Sequence, residues 1–317
     1  MDIPTEFDHP LFKKLANNDT GKAVGHQGGI VIPKDLNRYF PDLSGKVTTT
    51  SATVDEPIRA ALFVKNSLKG VVVTRYQYQT WGHTRRERRI TGNLAALRNA
   101  ASEGDYLIIE RSLDDPIFFR LRLLDATDPD FKKVRAKIGD RKWGSLDLKD
   151  QPVTEKAVVD ALAAQKLHEG KSLDIFDNAA VLVEVSSTRI ARSRAFQQRV
   201  TALYNFRCAV CGHGFVNSQG FSEIEAAHIV PRGLQGADDA RNGLALCRSH
   251  HWAFDRGLFG IMPTGQILIP PKILELPQNI PLGPLASMKL LPPTDSGLAP
   301  APAALQWHLK HIVNQHL

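Results

Sequence analysis

Cysteine is scarce in this sequence, with three residues in 317. Three thiols cannot close a set of disulfides, so a disulfide-stapled secreted scaffold is excluded. No apolar run approaches the ~20 residues that a membrane-spanning helix needs. The opening MDIPTEFDHP is acidic and lacks the basic-then-apolar layout of a secretion signal. These absences predict a cytoplasmic protein without membrane association. No internal repeat or low-complexity tract is evident, which excludes a solenoid. What remains, 43% hydrophobic and 23% charged residues, is an ordinary globular composition. The length fits roughly two domains. The net charge of +7 and a pI near 9.3 are compatible with a polyanionic partner but identify none.

Residues 1 to 125 read mostly as β. The runs GGIVIP (28–33), IRAALFVK (58–65), KGVVVTRYQYQTW (69–81), DYLIIERS (105–112) and PIFFRLRLL (116–124) are rich in β-branched, leucine and aromatic residues, with turn formers between them. One helix is expected over GNLAALRNAAS (92–102), with Leu94, Leu97 and Ala101 on one side. Many strands around a single helix favour a small barrel over a parallel sheet. The stretch 126–175 is polar; a helix is expected over 154–170 and linker elsewhere. From Thr188 a second helix carries Arg192, Phe196, Val200 and Tyr204 at every fourth position, together with Arg189, Arg194 and Arg199. Its arginines fit either a solvated face or contacts to phosphates. The proline-rich last 50 or so residues read as an extended wrap ending in a short helix from about Ala303. The domain boundary is expected between 1–175 and 176–317.

All three cysteines fall in two close pairs, Cys208-x-x-Cys211 and Cys247-x-x-His250. Zinc takes four such ligands in a tetrahedron, and a two-residue gap lets one tight turn present both members of a pair. A closed four-ligand site leaves no open position, so this metal is structural. His213 is an alternative fourth ligand, and buried reduced cysteine is the alternative to metal. The next residue, His251, stands four before Asp255 on an expected helix, where both share a face and can grip one divalent ion. Adjacent residues of a helix point about 100° apart, so His250 and His251 belong to two different sites.

The order and spacing of FRCAVCG, EIEAAHIVP and NGLALCRSHHWAFDRGLF resemble the HNH nuclease family in its zinc-stapled branch, over about residues 206–262. The resemblance implies a ββα-metal fold. It implies His228 as the general base that activates water against the scissile phosphorus, and Asn242 as the residue that orients the loop between the strands. It implies Mg²⁺ or Mn²⁺ at His251 and Asp255. Many relatives place a further ligand just before the base, where this chain has Ala227; Glu225, on the same strand face, is the candidate replacement.

In the first half, WGHTRRERRITGN (81–93) packs Arg85, Arg86, Arg88 and Arg89 around Glu87. Arginine can pair with guanine O6 and N7, and a carboxylate can accept from cytosine N4; a structural ion pair is the alternative. This stretch and VGHQGGIVIP (24–33) are similar to the N-terminal domain of the EcoRII restriction enzymes, a DNA-binding pseudobarrel akin to plant B3-like domains. The similarity covers about residues 20–125. It implies two arms that enter the major groove, one with His26, Gln27 and Val31, the other with His83, Thr84, Arg85, Arg86, Glu87, Arg88 and Arg89. EcoRII carries a tyrosine where this chain has Val31, so the target need not be shared.

Together these readings give an α+β chain: a B3-like DNA-binding β-pseudobarrel followed by a ββα-metal HNH domain with a structural zinc. The expected function is that of a restriction endonuclease acting on double-stranded DNA at or near a short sequence, with dependence on a modified base or backbone left open. One HNH site cuts one strand, so duplex cleavage implies a homodimer. The alternatives are a DNA-binding regulator with an inert HNH module and an RNA-cutting HNH enzyme. The second fits poorly, because A-form major grooves exclude such arms.

Overall fold

The computed structural model describes residues 6–22, 28–43, 47, 52–81, 85–113, 115–176, 186–217 and 222–316. The chain divides into two compact units, residues 1–157 with 185–190 and residues 158–184 with 191–317. The helix over Glu155–Glu169 therefore contributes mostly to the second unit. Among the described residues no helix is long and apolar enough to cross a membrane.

The first unit is built on one sheet of eight strands: β1 (Leu11–Lys14), β2 (Ile30–Ile32), β3 (Thr53–Val64), β4 (Ser67–Trp81), β5 (Arg85–Thr91), β6 (Tyr106–Arg111), β7 (Phe118–Leu124) and β8 (Trp143–Ser145). Their order is β2-β5-β4-β3-β7-β6-β1-β8, and β3 with β7 is the parallel pair among antiparallel ones. The sheet curls into a half-barrel. Alternation along the strands buries Ile58, Ala60 and Leu62 of β3 with Tyr76, Ile90, Leu107, Phe119 and Leu121. Leu94, Leu97 and Ala101, on and beside α1 (Ala95–Ala100), join this core, as their spacing predicts. A second cluster lies where Val134 and Ile138 of α2 (Phe131–Ile138) meet Phe12, Tyr106, Ile108 and Leu124. This helix, β1 and β8 are elements the sequence reading does not contain.

The second unit takes most of α3 (Glu155–Glu169) and α4 (Ser186–Leu203). The antiparallel hairpin β9 (Glu225–His228) and β10 (Gly243–Leu246) leads directly into α5 (Arg248–Asp255). A small pair, β11 (Gly260–Ile261) and β12 (Ile267–Leu268), precedes α6 (Pro271–Leu274) and α7 (Pro302–His311). Phe196, Val200 and Tyr204 of α4 are buried, as their four-residue spacing requires. Of the four arginines of α4, Arg189 is exposed and the other three are engaged within the fold. Arg199 makes a two-pronged pair with Glu169 at 2.8 and 2.6 Å, Arg192 reaches Asp238 at 3.1 Å, and Arg194 is buried. The proline-rich segment is more ordered than an extended wrap. It forms α6 and a run of 3₁₀ turns over Pro277–Ser287, and Leu285 and Leu298 join the core.

At the end of this wrap, His308 of α7 lies buried on Phe254 of α5, with ring centroids 3.8 Å apart and planes at 3°. Its Nε2–H donates to the Phe254 carbonyl at 3.1 Å, and its Nδ1 meets no hydrogen-bond partner. Burial pushes the imidazole down from 6.5 to about 4. The folded ring is thus neutral where the unfolded one takes a proton. The stability tied to it is complete above about pH 6.5 and is lost as pH falls toward about 4. Between about pH 7 and 4.5 the second unit of the wild type should lose roughly 2–3 kcal/mol more than His308→Phe. Urea midpoints of both proteins at the two pH values check this, and equal losses would refute it.

Candidate active site and metal centre

The hairpin β9–β10 and α5 set two groups of side chains back to back. On one side, the tight turn after α4 presents Cys208 and Cys211, and the first turn of α5 presents Cys247 and His250. One ligand atom from each lies within 4.8 Å of all the others. Among the described residues no other such group is gathered this closely. His250 Nδ1 is 3.4 Å from Cys208 Sγ and 3.1 Å from Cys247 Sγ. A tetrahedron with zinc-like bond lengths separates ligand atoms by roughly 3.5–3.8 Å, so the donor set fits a closed metal site. Burial pushes the Cys208 and Cys247 thiols up and the His250 imidazole down. The neutral ring is the form that ligates metal. His213 is not in the cluster; its carbonyl accepts the Cys208 N–H at 2.8 Å.

On the other side of α5, His251 stands between two carboxylates. Its Nδ1 is 2.8 Å from Glu225 Oε2 and its Nε2 is 3.4 Å from Asp255 Oδ2. Arg248 also reaches Glu225, at 3.1 Å. The bond from His251 holds Glu225 below the usual carboxylate range. Burial raises Asp255, against the opposing charges of His251, Arg256 and His228. His251 and Asp255 thus share one face, as their spacing predicts, and Glu225 joins them from β9. Ala227 is buried in the core.

His228 ends β9 opposite Gly243. A Cβ on Gly243 would lie 2.6 Å from Val200 and 2.9 Å from Phe196. Only glycine admits α4 this close, and that approach lays Phe196 flat on His228, with centroids 3.8 Å apart and planes at 12°. His228 Nε2 is 2.9 Å from Asp238 Oδ1. Asn242 is wholly buried and spends its amide on the loop between the strands: Oδ1 accepts the Val230 N–H, and Nδ2 donates to the carbonyls of Ala237 and Val230, at 2.9, 2.9 and 3.2 Å. Gln197 of α4 clamps the outer edge of β9, accepting from the Ala226 N–H at 2.6 Å and donating to the Ile224 carbonyl at 3.1 Å. Asp238, Phe196 and Gln197 are site residues that the sequence reading misses. The pair Asp238-Asp239 beside Asn242 was the available signal, and nothing in its spacing ties it to His228.

With both geometries in view, residues 208–262 match the model of the HNH endonuclease family, and residues 8–146 match that of the N-terminal domain of restriction endonuclease EcoRII. The chain thus carries a match to the EcoRII N-terminal domain followed by a match to the HNH endonuclease family. No curated protein matches it. Among solved structures it is similar to the DNA-bound B3 domain of UbaLAI restriction endonuclease (19% identity, TM-score 0.30, 41% of this chain and 76% of that one). The Arabidopsis FUS3–DNA complex is similar at 19% identity and a TM-score of 0.28 (38% and 100%). The modification-dependent TagI restriction endonuclease matches at 14% identity and a TM-score of 0.33 (98% and 77%).

Within the segment that matches the EcoRII N-terminal domain, the residues expected in a first arm, His26 and Gln27, and in a second, His83 and Thr84, lie outside the described residues, as does the side chain of Arg85 at the start of β5. Val31 is half-buried and pairs across the sheet with Arg89. Arg89 is 7% exposed and bonded to Glu87 at 2.5 Å, the ion-pair alternative for these two residues. Arg88 lies over Tyr76 and Tyr78 and donates to the Tyr76 hydroxyl at 3.2 Å. Arg86 is exposed. Beside Val31, Lys13 and Asp19 form a buried pair at 2.6 Å, and Asp19 accepts the Val31 N–H at 2.8 Å.

Proposed function

We propose that the chain is a restriction endonuclease that hydrolyses double-stranded DNA at or near a short sequence bound by its EcoRII N-terminal domain. The observation that carries this reading is the ββα unit in which His228 ends one strand while His251 and Asp255 line the helix behind it, within an HNH endonuclease domain. His228 takes the proton of a water whose oxygen bonds to phosphorus as the P–O3′ bond breaks, leaving a 3′-hydroxyl once the leaving oxygen is protonated by solvent. Asn242 acts through the backbone, pinning the loop that follows the base.

His251 Nε2 and Asp255 would hold one Mg²⁺ or Mn²⁺. Glu225, bound to the opposite nitrogen of the ring, orients that imidazole rather than ligating, the usual carboxylate–histidine arrangement beside a metal. A divalent ion there would supply Lewis-acid stabilisation of the charge that builds on the phosphate and the leaving oxygen. Zinc is the assignment for the Cys3His cluster. One such site serves one strand, so two copies of the chain would act on a duplex.

For base reading, Arg85 and the exposed Arg86 are the candidates, because Glu87 and Arg89 are paired with each other. Unmodified, methylated and phosphorothioated genomic DNA, incubated with Mg²⁺ or with chelator and sequenced at the new ends, tests the whole reading. The expected result is metal-dependent breaks at a fixed distance from a recurring short sequence. Arg85→Ala should then weaken binding to that sequence by roughly 1–3 kcal/mol and leave random duplex unaffected. Tight binding with no breaks on any substrate would favour the inert regulator.

A further inference from the structure

The general-base reading leaves open which nitrogen of His228 takes the proton, and the loop between β9 and β10 answers it. His228 Nε2 faces Asp238 Oδ1 at 2.9 Å, while Nδ1 has no hydrogen bond to any described residue. Asp238 is almost wholly buried, with its side chain 4% exposed, and its second oxygen is held by Arg192 of α4 at 3.1 Å and by Arg232 at 3.6 Å. Burial alone would raise this carboxyl; the hydrogen bond and charge of His228, with Arg232 and Arg192, outweigh burial and hold it below its usual range. Phe196 fixes the plane of the ring and Asn242 fixes the loop on which Asp238 sits.

We propose that Asp238 is the positioning residue for His228: it binds the Nε2–H, selects that tautomer, and leaves the Nδ1 lone pair as the one that accepts the proton of water. The inference rests on His228 being the base, and it concerns a carboxylate whose side chain is buried in the fold. An anion at this place does two things. It excludes the other tautomer, which would turn a protonated Nδ1 toward the water. It also stabilises the imidazolium that forms as the proton moves, the part that a buried aspartate plays behind a histidine in acyl-transfer triads.

Asp238→Asn separates this role from a structural one. Two guanidiniums face one side of the residue, so the amide must turn its oxygen to them and its NH2 to His228. Nε2 then has to accept, and the proton moves to Nδ1. The variant should cleave DNA at least ~100-fold more slowly in kcat with KM within about twofold of wild type. Nitrogen-15 spectra of the wild-type full chain labelled at histidine, with His228 identified by its loss in His228→Gln, should show the Nε2-protonated tautomer; this reading does not depend on any variant being stable. Asp238→Asn should show the Nδ1-protonated form. A wild-type His228 protonated on Nδ1, or Asp238→Asn cleaving at the wild-type rate, would overturn the proposal. If His228→Ala itself cleaved normally, the base assignment would fall instead.

Discussion

His228→Ala and His251→Ala are each expected to cleave DNA at least ~100-fold more slowly than wild type, the usual scale for losing a general base, while keeping the fold and DNA affinity. The reasons differ, and so should the rescue. His228 touches Phe196 and Asp238 and lies outside the cysteine cluster. On the proposed mechanism its loss removes the proton acceptor, and no concentration of metal replaces that. On the proposed mechanism His251 carries one of two ligand atoms for the divalent ion, and Asp255, the other, stays in place when it is gone. The site is then weakened rather than abolished, so raising Mg²⁺ or Mn²⁺ should restore part of the activity of His251→Ala and none of that of His228→Ala. Metal titrations of cleavage for both variants decide this. Equal rescue, or none in either, would remove the distinction between base and ligand on which the proposed mechanism stands.

How much of this was legible in the sequence depends on how local each cause is. Helix α1 was readable because Leu94, Leu97 and Ala101 repeat at helical spacing and all three are buried. The long strands were readable because β-branched and aromatic residues alternate in them. Helix α2 was not: among the eight residues FKKVRAKI, four are lysine or arginine, and the three that pack, Phe131, Val134 and Ile138, act only through β1, β6 and β7. Ligand spacing, a local property, gave the Cys3His cluster and the His251–Asp255 pair. Arg192, Arg194 and Arg199 invited a phosphate-facing reading because Asp238 and Glu169, which hold two of them, are distant in sequence. Ionic partners across a fold leave no periodicity behind. The same limit hid Asp238: a carboxylate selects a tautomer only through a distance, and no spacing in the chain encodes one.

Replacing Cys208 by serine should unfold the second unit while the first keeps its structure. The Cys208 knuckle is sewn into the surrounding fold at several points. The Ala209 N–H donates to Ala245 of β10 at 2.7 Å, the Ala209 carbonyl accepts from Leu291 of the C-terminal segment at 2.8 Å, and Cys208 itself is fully buried. Loss of a metal held by this cluster would therefore loosen the hairpin and the wrap together. Structural zinc binds with an apparent ~10–16 kcal/mol in small zinc modules, comparable to the ~5–15 kcal/mol by which a whole domain is stable, so disruption of the site should exceed what the unit can lose. The two units should then melt separately in Cys208→Ser, and elemental analysis of fresh wild-type protein should give about one zinc per chain. His250→Ala belongs with this variant: it opens the same tetrahedron, lowers the melting temperature of the second unit, and reduces zinc content. His251→Ala, its immediate neighbour, should retain zinc and melt like wild type, because its ring faces Glu225 and Asp255 rather than the thiols. If His251→Ala lost zinc while His250→Ala kept it and cut DNA normally, the two histidines would have to exchange roles, and with them the division of α5 into one helix turn that holds the fold and one face that performs the chemistry.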